Sequence, residues 1–290
     1  MKNVRIKEFE DFYGITIPSD FENGEKVVEL FLELSSKLNM AMGELKEDDF
    51  HQFPTIGIVY QLINRIQEQL QGAFINICTK NHASSEILSR TAIESAVNVL
   101  YFFKDDTESK VFAWLKKYIE EDKQHIQDWE QSLKTLDKQQ IHAPKIAVRQ
   151  SLNLEKESFV NQYIDEVKKV LSIDDSVRLP QKILKKFQEV GEETTYHTVY
   201  TRLSAMTHLN AEDTISYMMA KVYFDKEKQI QMGLEHCAFS EYMCFYAVLF
   251  YANTIEKFLM KYAQFQDAKI ESLREKILSI MNDMGKKWNW

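Results

Sequence analysis

Apolar residues recur along most of the chain at intervals of three and four, the period of an amphipathic helix. Between Lys26 and Leu45 they fall at 27, 28, 30, 31, 34, 38 and 42. The acidic run Glu47-Asp48-Asp49 then reads as a solvated loop. Pro54 suits a helix start, and Tyr60, Ile63, Ile66, Leu70, Phe74 and Ile77 carry a long amphipathic helix from Thr55 to Lys80. Asn81-His82-Ala83-Ser84 reads as a turn, with Ser84 or Ser85 as the next cap. Residues 85–103 are apolar over most of a helical surface, which predicts burial. Yet Glu86, Arg90, Glu94 and Asn98 form one polar stripe at spacing four. Exposed, that stripe is a ladder of weak pairs. Buried, its charges require partners.

Downstream, Thr107 is placed to cap a helix over 108–140. Residues 141–154 read as a connection, 155–171 as a helix, 172–179 as a loop and 180–190 as a further helix. Residues 191–194 break the chain, and two helices are expected up to Phe224. The segment 227–262 is expected to be one long helix. Its middle, Tyr242 to Ala252, is apolar all round, which makes it the candidate central core helix, with Phe245, Val248, Leu249 and Ala252 inaccessible. A last amphipathic helix runs from Asp267 to Lys287, followed by Trp288 and Trp290 as an aromatic tail. The pattern predicts an all-α fold, an up-and-down multi-helix bundle of roughly eight to ten helices. Residues 1–24 read as a leader and 25–290 as a single helical domain.

Composition agrees. Only 8 glycines and 4 prolines occur in 290 residues, too few for a turn-rich fold. A net charge of −8 supplies no global basic field for nucleic acid. The locally basic stretch, with Lys145, Arg149, Lys168, Lys169, Arg178, Lys182, Lys185 and Lys186, lacks aromatic interleaving and reads as a solvated helical face. The 3 cysteines, Cys78, Cys237 and Cys244, have no metal-type spacing, and their odd number argues against a disulfide framework. A reducing, cytoplasmic location is expected. The charged N-terminus has no apolar signal core, and the longest apolar run is too short to span a bilayer. Asp122 and His125 make one half of a carboxylate-histidine motif without a second copy. No phosphate-cradling glycine loop, His-Glu-x-x-His, Cys-x-x-Cys or Gly-x-Ser-x-Gly occurs. No cofactor, metal or membrane partner is expected.

The densest chemistry lies at Thr194–Met219. On a helix from Tyr196 to His208, Tyr200, Ser204 and His208 share one face at spacing four, and Asn210 suits the cap of a following helix. His208 at a helix end would meet partial negative charge, which favours its protonation. The same residues also suit a satisfied interhelical hydrogen-bond cluster without chemistry. If the two polar stripes meet, Arg90 is placed to bind an anionic group, Glu94 to orient Arg90 or His208, and Tyr200 and Ser204 to act as supporting donors. Arg202 and His208, five residues apart in between, carry the spacing of a metal-independent ribonuclease motif, Arg-x(4 to 6)-His, in which His208 is the acid/base. Convergence of that pair requires a helix end or a homodimer.

Together, SRTAIESAVNVLYFF at 89–103 and YTRLSAMTHLNAEDT at 200–214 resemble a family of uncharacterised all-helical bacterial proteins. There an Arg-x-x-x-Glu helix is followed by a Tyr-x-x-Leu-Ser-x-x-x-His helix, here Arg90, Glu94, Tyr200, Leu203, Ser204 and His208. The family is distantly similar to the HEPN group, a likeness that implies RNA cleavage in defence or toxin systems and RNA as the partner. The chain departs from that pattern at Leu203, an apolar residue directly after the arginine. Two functions therefore stand side by side: a non-catalytic ligand-sensing or interaction module, and a HEPN-like ribonuclease.

Overall fold

The computed structural model describes residues 4–19, 21–134, 139–201, 203, 218, 225–263 and 267–288. Among them there is no strand, and the chain is all-helical. In order, the helices are α1 Val4–Tyr13, α2 Gly24–Glu44, α3 Glu47–Gln52, α4 Ile56–Cys78, α5 His82–Phe103, α6 Thr107–Lys134, α7 Gln139–Lys168, α8 Ile183–Glu189, α9 Glu193–Thr195, α10 Lys226–Phe258 and α11 Ala268–Trp288. Two π-helical turns, Tyr196–Tyr200 and Leu259–Ala263, extend α9 and α10. These 11 helices among the described residues exceed the expected eight to ten. The excess comes from short elements. The acidic run expected as a loop forms α3, because Glu47, Asp48 and Asp49 sit in a first turn that favours negative charge.

Contacts divide the chain into two compact units, one of Met1–Gln52, Ile56–Lys104 and Lys182–Trp290, the other of Phe53–Thr55 and Asp105–Gln181. In the larger unit α10 packs on α2, α4, α5 and α11. Its apolar middle explains this: Phe245, Val248 and Ala252 are fully buried, as is Phe250 beside them. Leu249, expected with them, is only half-buried, since a helix contacted on several sides still leaves gaps between neighbours. Phe31 of α2, Phe74 of α4 and Tyr251 of α10 meet at ring separations of 5.2 and 5.8 Å. The Tyr251 hydroxyl keeps polar partners in this core, Ser35 Oγ at 3.2 Å and Gln67 Oε1 at 3.3 Å. In the first segment α1 buries Ile6 and Phe9, and Glu10 accepts a hydrogen bond from the Ile17 amide at 2.7 Å.

A three-residue connection joins α4 to α5. Lys80 adopts a positive φ of 60°, its amide donates to Ile77 O and the Asn81 amide to Asn76 O. That pair of bonds is the Schellman ending of a helix. Ser85 does not cap α5 but is buried within it.

The smaller unit is built on α6 and α7. Asp106, not Thr107, caps α6, accepting from the Ser109 amide at 3.0 Å and its hydroxyl at 2.5 Å. The expected connection at 141–154 is instead helical, inside a 30-residue α7 that contains Pro144. Proline inside a helix removes one hydrogen bond and crowds the carbonyl four residues back, a cost confined to its own turn. The segment has no glycine, and Ile146, Asn153 and Val160, seven apart, turn one buried face toward α6. Phe112, Ile119, Val160, Ile164 and Val167 form one apolar cluster, and Ile126, Leu133 and Ile146 another.

Candidate functional site

The polar stripe of α5 is inside the larger unit. Glu86, fully buried, accepts a hydrogen bond from Ser240 Oγ of α10 and lies 3.8 Å from His236 Nε2. Further along, Asn98 accepts from Lys186 of α8, and Lys104 donates to the Glu189 backbone carbonyl at 2.9 Å and to its carboxylate at 2.8 Å. These contacts hold α8 along α5. Phe187 of α8 is fully buried and places its ring 5.5 Å from Tyr196 and 5.3 Å from Tyr200. The π-turn thereby delivers Tyr200 onto the middle of the stripe.

There Arg90 Nη2 donates to the Tyr200 hydroxyl at 2.8 Å, and that hydroxyl donates to Glu94 Oε2, also at 2.8 Å. Arg90 and Glu94 are 3.6 Å apart at their nearest charged atoms, and the guanidinium lies 4.8 Å from the centre of the Tyr200 ring. The Arg90 side chain is only 17% exposed, and its Nε is buried without an acceptor among the described residues. Burial, reinforced by Glu94, pushes the Tyr200 phenol up to about 12, against the opposing pull of Arg90. It is therefore a neutral hydrogen-bonding bridge at physiological pH. Arg202, Ser204, His208 and Asn210 lie outside the described residues. Leu203, between them, is fully buried.

A second constellation escaped the sequence reading. His82 Nε2 and Cys237 Sγ are 3.3 Å apart, and the His82 ring stands edge-on to His236 at 5.9 Å. Both His82 and Cys237 line a cavity of about 660 Å³ in the larger unit, together with Glu241, Leu234 and Met284. The two residues are 155 positions apart, so no local spacing signals the pair. Glu241 accepts from the Asn23 amide at 2.8 Å, and burial pushes its carboxyl up to about 7. Cys244 packs as a small apolar residue against Ser85 and Ser89, its thiol pushed up to about 12 by burial.

Elsewhere, three of the charges expected on a solvated face, Arg149, Lys168 and Lys169, are paired. In the smaller unit Arg149 donates to Asp122 Oδ1 at 2.7 Å, and Asn153 to Oδ2 at 3.0 Å. The hydrogen bond from Arg149 holds Asp122 below the usual carboxylate range despite its burial. Asp122 thus belongs to an ion pair and not to a half-built metal motif with His125. Lys116 and Lys168 converge on Asp175, bringing its carboxyl down to about 2, and Lys169 pairs with Glu166. Among the described residues no group of three or more His, Cys, Asp or Glu side chains is arranged to hold a metal ion. No helix among them is long and apolar enough to cross a membrane.

No curated protein and no solved structure matches the chain. The model of a family of unknown function, DUF5677, matches residues 57–226, more than half of the 290 and all of the segment that carries Arg90, Glu94 and Tyr200. The chain belongs to that family.

Proposed function

We propose that the protein is a non-catalytic sensing module, in which the interhelical site at Arg90 binds the oxyanion of a small ligand. One observation carries the reading. A guanidinium that is mostly withdrawn from solvent has a neutral phenol and one carboxylate as partners, and its Nε has no acceptor among the described residues. A planar fork of this kind recognises carboxylate or phosphate bidentately. Glu94 stands as an internal placeholder for the ligand's oxyanion. Tyr200 couples the site to the π-turn, and π-turns recur where helices serve function. A ligand that displaces Glu94 moves Tyr200 and, with it, the π-turn.

The test uses inorganic phosphate and, separately, a simple dicarboxylate as probes. Either should raise the melting temperature of the wild-type protein at millimolar concentration, since a ligand that binds only the folded state stabilises it. Glu94→Gln should strengthen the response, and Arg90→Lys should abolish it. No shift with either probe, in wild type and in Glu94→Gln alike, would overturn the reading.

The second reading, a HEPN-like metal-independent ribonuclease using Arg202 and His208, rests on sequence spacing. Incubation with mixed RNA in EDTA decides it: cleavage lost in His208→Gln would replace the sensing reading with the nuclease one.

A further inference from the structure

Helix α7 has two faces. Ile146, Asn153 and Val160 turn toward α6. On another side Ile141, Val148, Leu152 and Phe159 are 71, 61, 49 and 68% exposed. Single exposed apolar residues are ordinary, but a row of four large ones is not. With Lys145 and Glu155, also exposed, they fill an unbroken run at intervals of four, three, four, three and four. That is the spacing of a coiled-coil seam, in which successive positions face a partner helix. The seam runs from residue 141 to residue 159, roughly 27 Å at the helical rise. Nothing among the described residues covers it, and neither Lys145 nor Glu155 has an ion-pair partner among them.

The order of residues along this seam is what identifies the partner. Reversing the run about residue 150 exchanges Ile141 with Phe159, Lys145 with Glu155, and Val148 with Leu152. Apolar positions meet apolar positions, and the one cation meets the one anion. An antiparallel partner helix with this same sequence would therefore match at all six layers, with four apolar layers and two opposite-charge pairs. A two-fold axis requires such self-complementarity, because each residue of one copy must suit the residue it meets on the other. A helix of unrelated sequence has no reason to be complementary to this register, and a lipid surface would place Lys145 and Glu155 alike against the apolar phase. We propose that α7 is a homodimerisation helix, pairing antiparallel with α7 of a second copy about an axis at residue 150. Lys145 of each copy then faces Glu155 of the other.

Charge reversal in the full-length chain tests this by sedimentation equilibrium. The wild-type protein is expected to self-associate as a dimer with micromolar affinity. Lys145→Glu sets like charges opposite each other at two symmetric places and should weaken the dimer by about tenfold or more. Adding Glu155→Lys to the same chain restores opposite pairs and should restore the affinity. Both side chains are exposed, so at concentrations low enough to leave every chain monomeric the melting temperatures of these two variants should match wild type. Leu152→Glu, which puts a charge into a central apolar layer, should give a monomer. A wild-type protein monomeric at about 100 μM overturns the proposal. So does a dimer indifferent to Lys145→Glu and Leu152→Glu, or a dimer weakened by Lys145→Glu that Glu155→Lys fails to rescue.

Discussion

Tyr200 has two hydrogen-bond partners on one hydroxyl, one on each side of a charge pair. Removing that hydroxyl leaves an arginine N–H and a carboxylate oxygen to find partners in a half-buried place. Tyr200→Phe should therefore cost about 1–2 kcal/mol in urea unfolding, even though the tilted ring contact with Phe187 is kept. A cost near zero would mean that water takes over the bridge. The stripe that prepares this site was legible in the sequence, because Arg90 and Glu94 are four apart on one helix and spacing is a local property. Its partner Tyr200, on a separate stripe 110 residues from Arg90, was nominated by the same logic. The His82–Cys237 pair was not legible, since each residue sits alone on its own helix and only the tertiary packing of α5 on α10 makes them neighbours.

At the level of elements, the patterns that survived folding were those with a strict period. In α4 the periodic positions Ile63, Ile66, Leu70, Phe74 and Ile77 are all buried, and Tyr60, read with them, is half-buried. Reading failed in two places: residues 141–154, read as a connection, lie inside α7, and an acidic run read as a loop forms α3. The packing of α7 on α6 decides the first, and the charge preference of a helix start the second. The ending of α4 gives a test of backbone strain. Lys80 holds a left-handed conformation that costs a side-chain-bearing residue about 1 kcal/mol, and glycine adopts it freely. Lys80→Gly should raise stability by about 0.5 kcal/mol after glycine's greater entropy loss on folding, measured by urea denaturation. In the smaller unit Asp122→Ala deprives Arg149 and Asn153 of their shared acceptor. It should cost about 1–3 kcal/mol, followed through the fluorescence of Trp114 and Trp129 on the same helix.

For the whole molecule, the ionisable groups set opposing demands on pH. Asp122 and Asp175 in the smaller unit, and Asp267 in the larger, are held below the carboxylate value of 3.8. For Asp267, burial acts upward most strongly of any one cause, and the hydrogen bonds and charges of Lys37 and Lys269 together outweigh it. The stability such groups add is present above 3.8 and lost as pH falls through their folded values, about 2 for Asp175. Glu241 works the other way. Its folded value of about 7 exceeds the ordinary 4.5, so the folded state holds a proton that the unfolded state has released. Its contribution is complete below 4.5 and is lost as pH rises through about 7. The larger unit should thus weaken between mildly acidic and neutral pH, while acid loss falls on both units. Glu241→Gln isolates the effect, because the amide oxygen still accepts from the Asn23 amide but carries no charge to desolvate. Urea unfolding at pH 4, 6 and 8 should find variant and wild type close at pH 4. The variant should then gain progressively, by up to about 3 kcal/mol at pH 8. Parallel pH profiles for the two proteins would show that Glu241 ionises normally in the folded chain, with its charge satisfied by the Asn23 amide and Lys287.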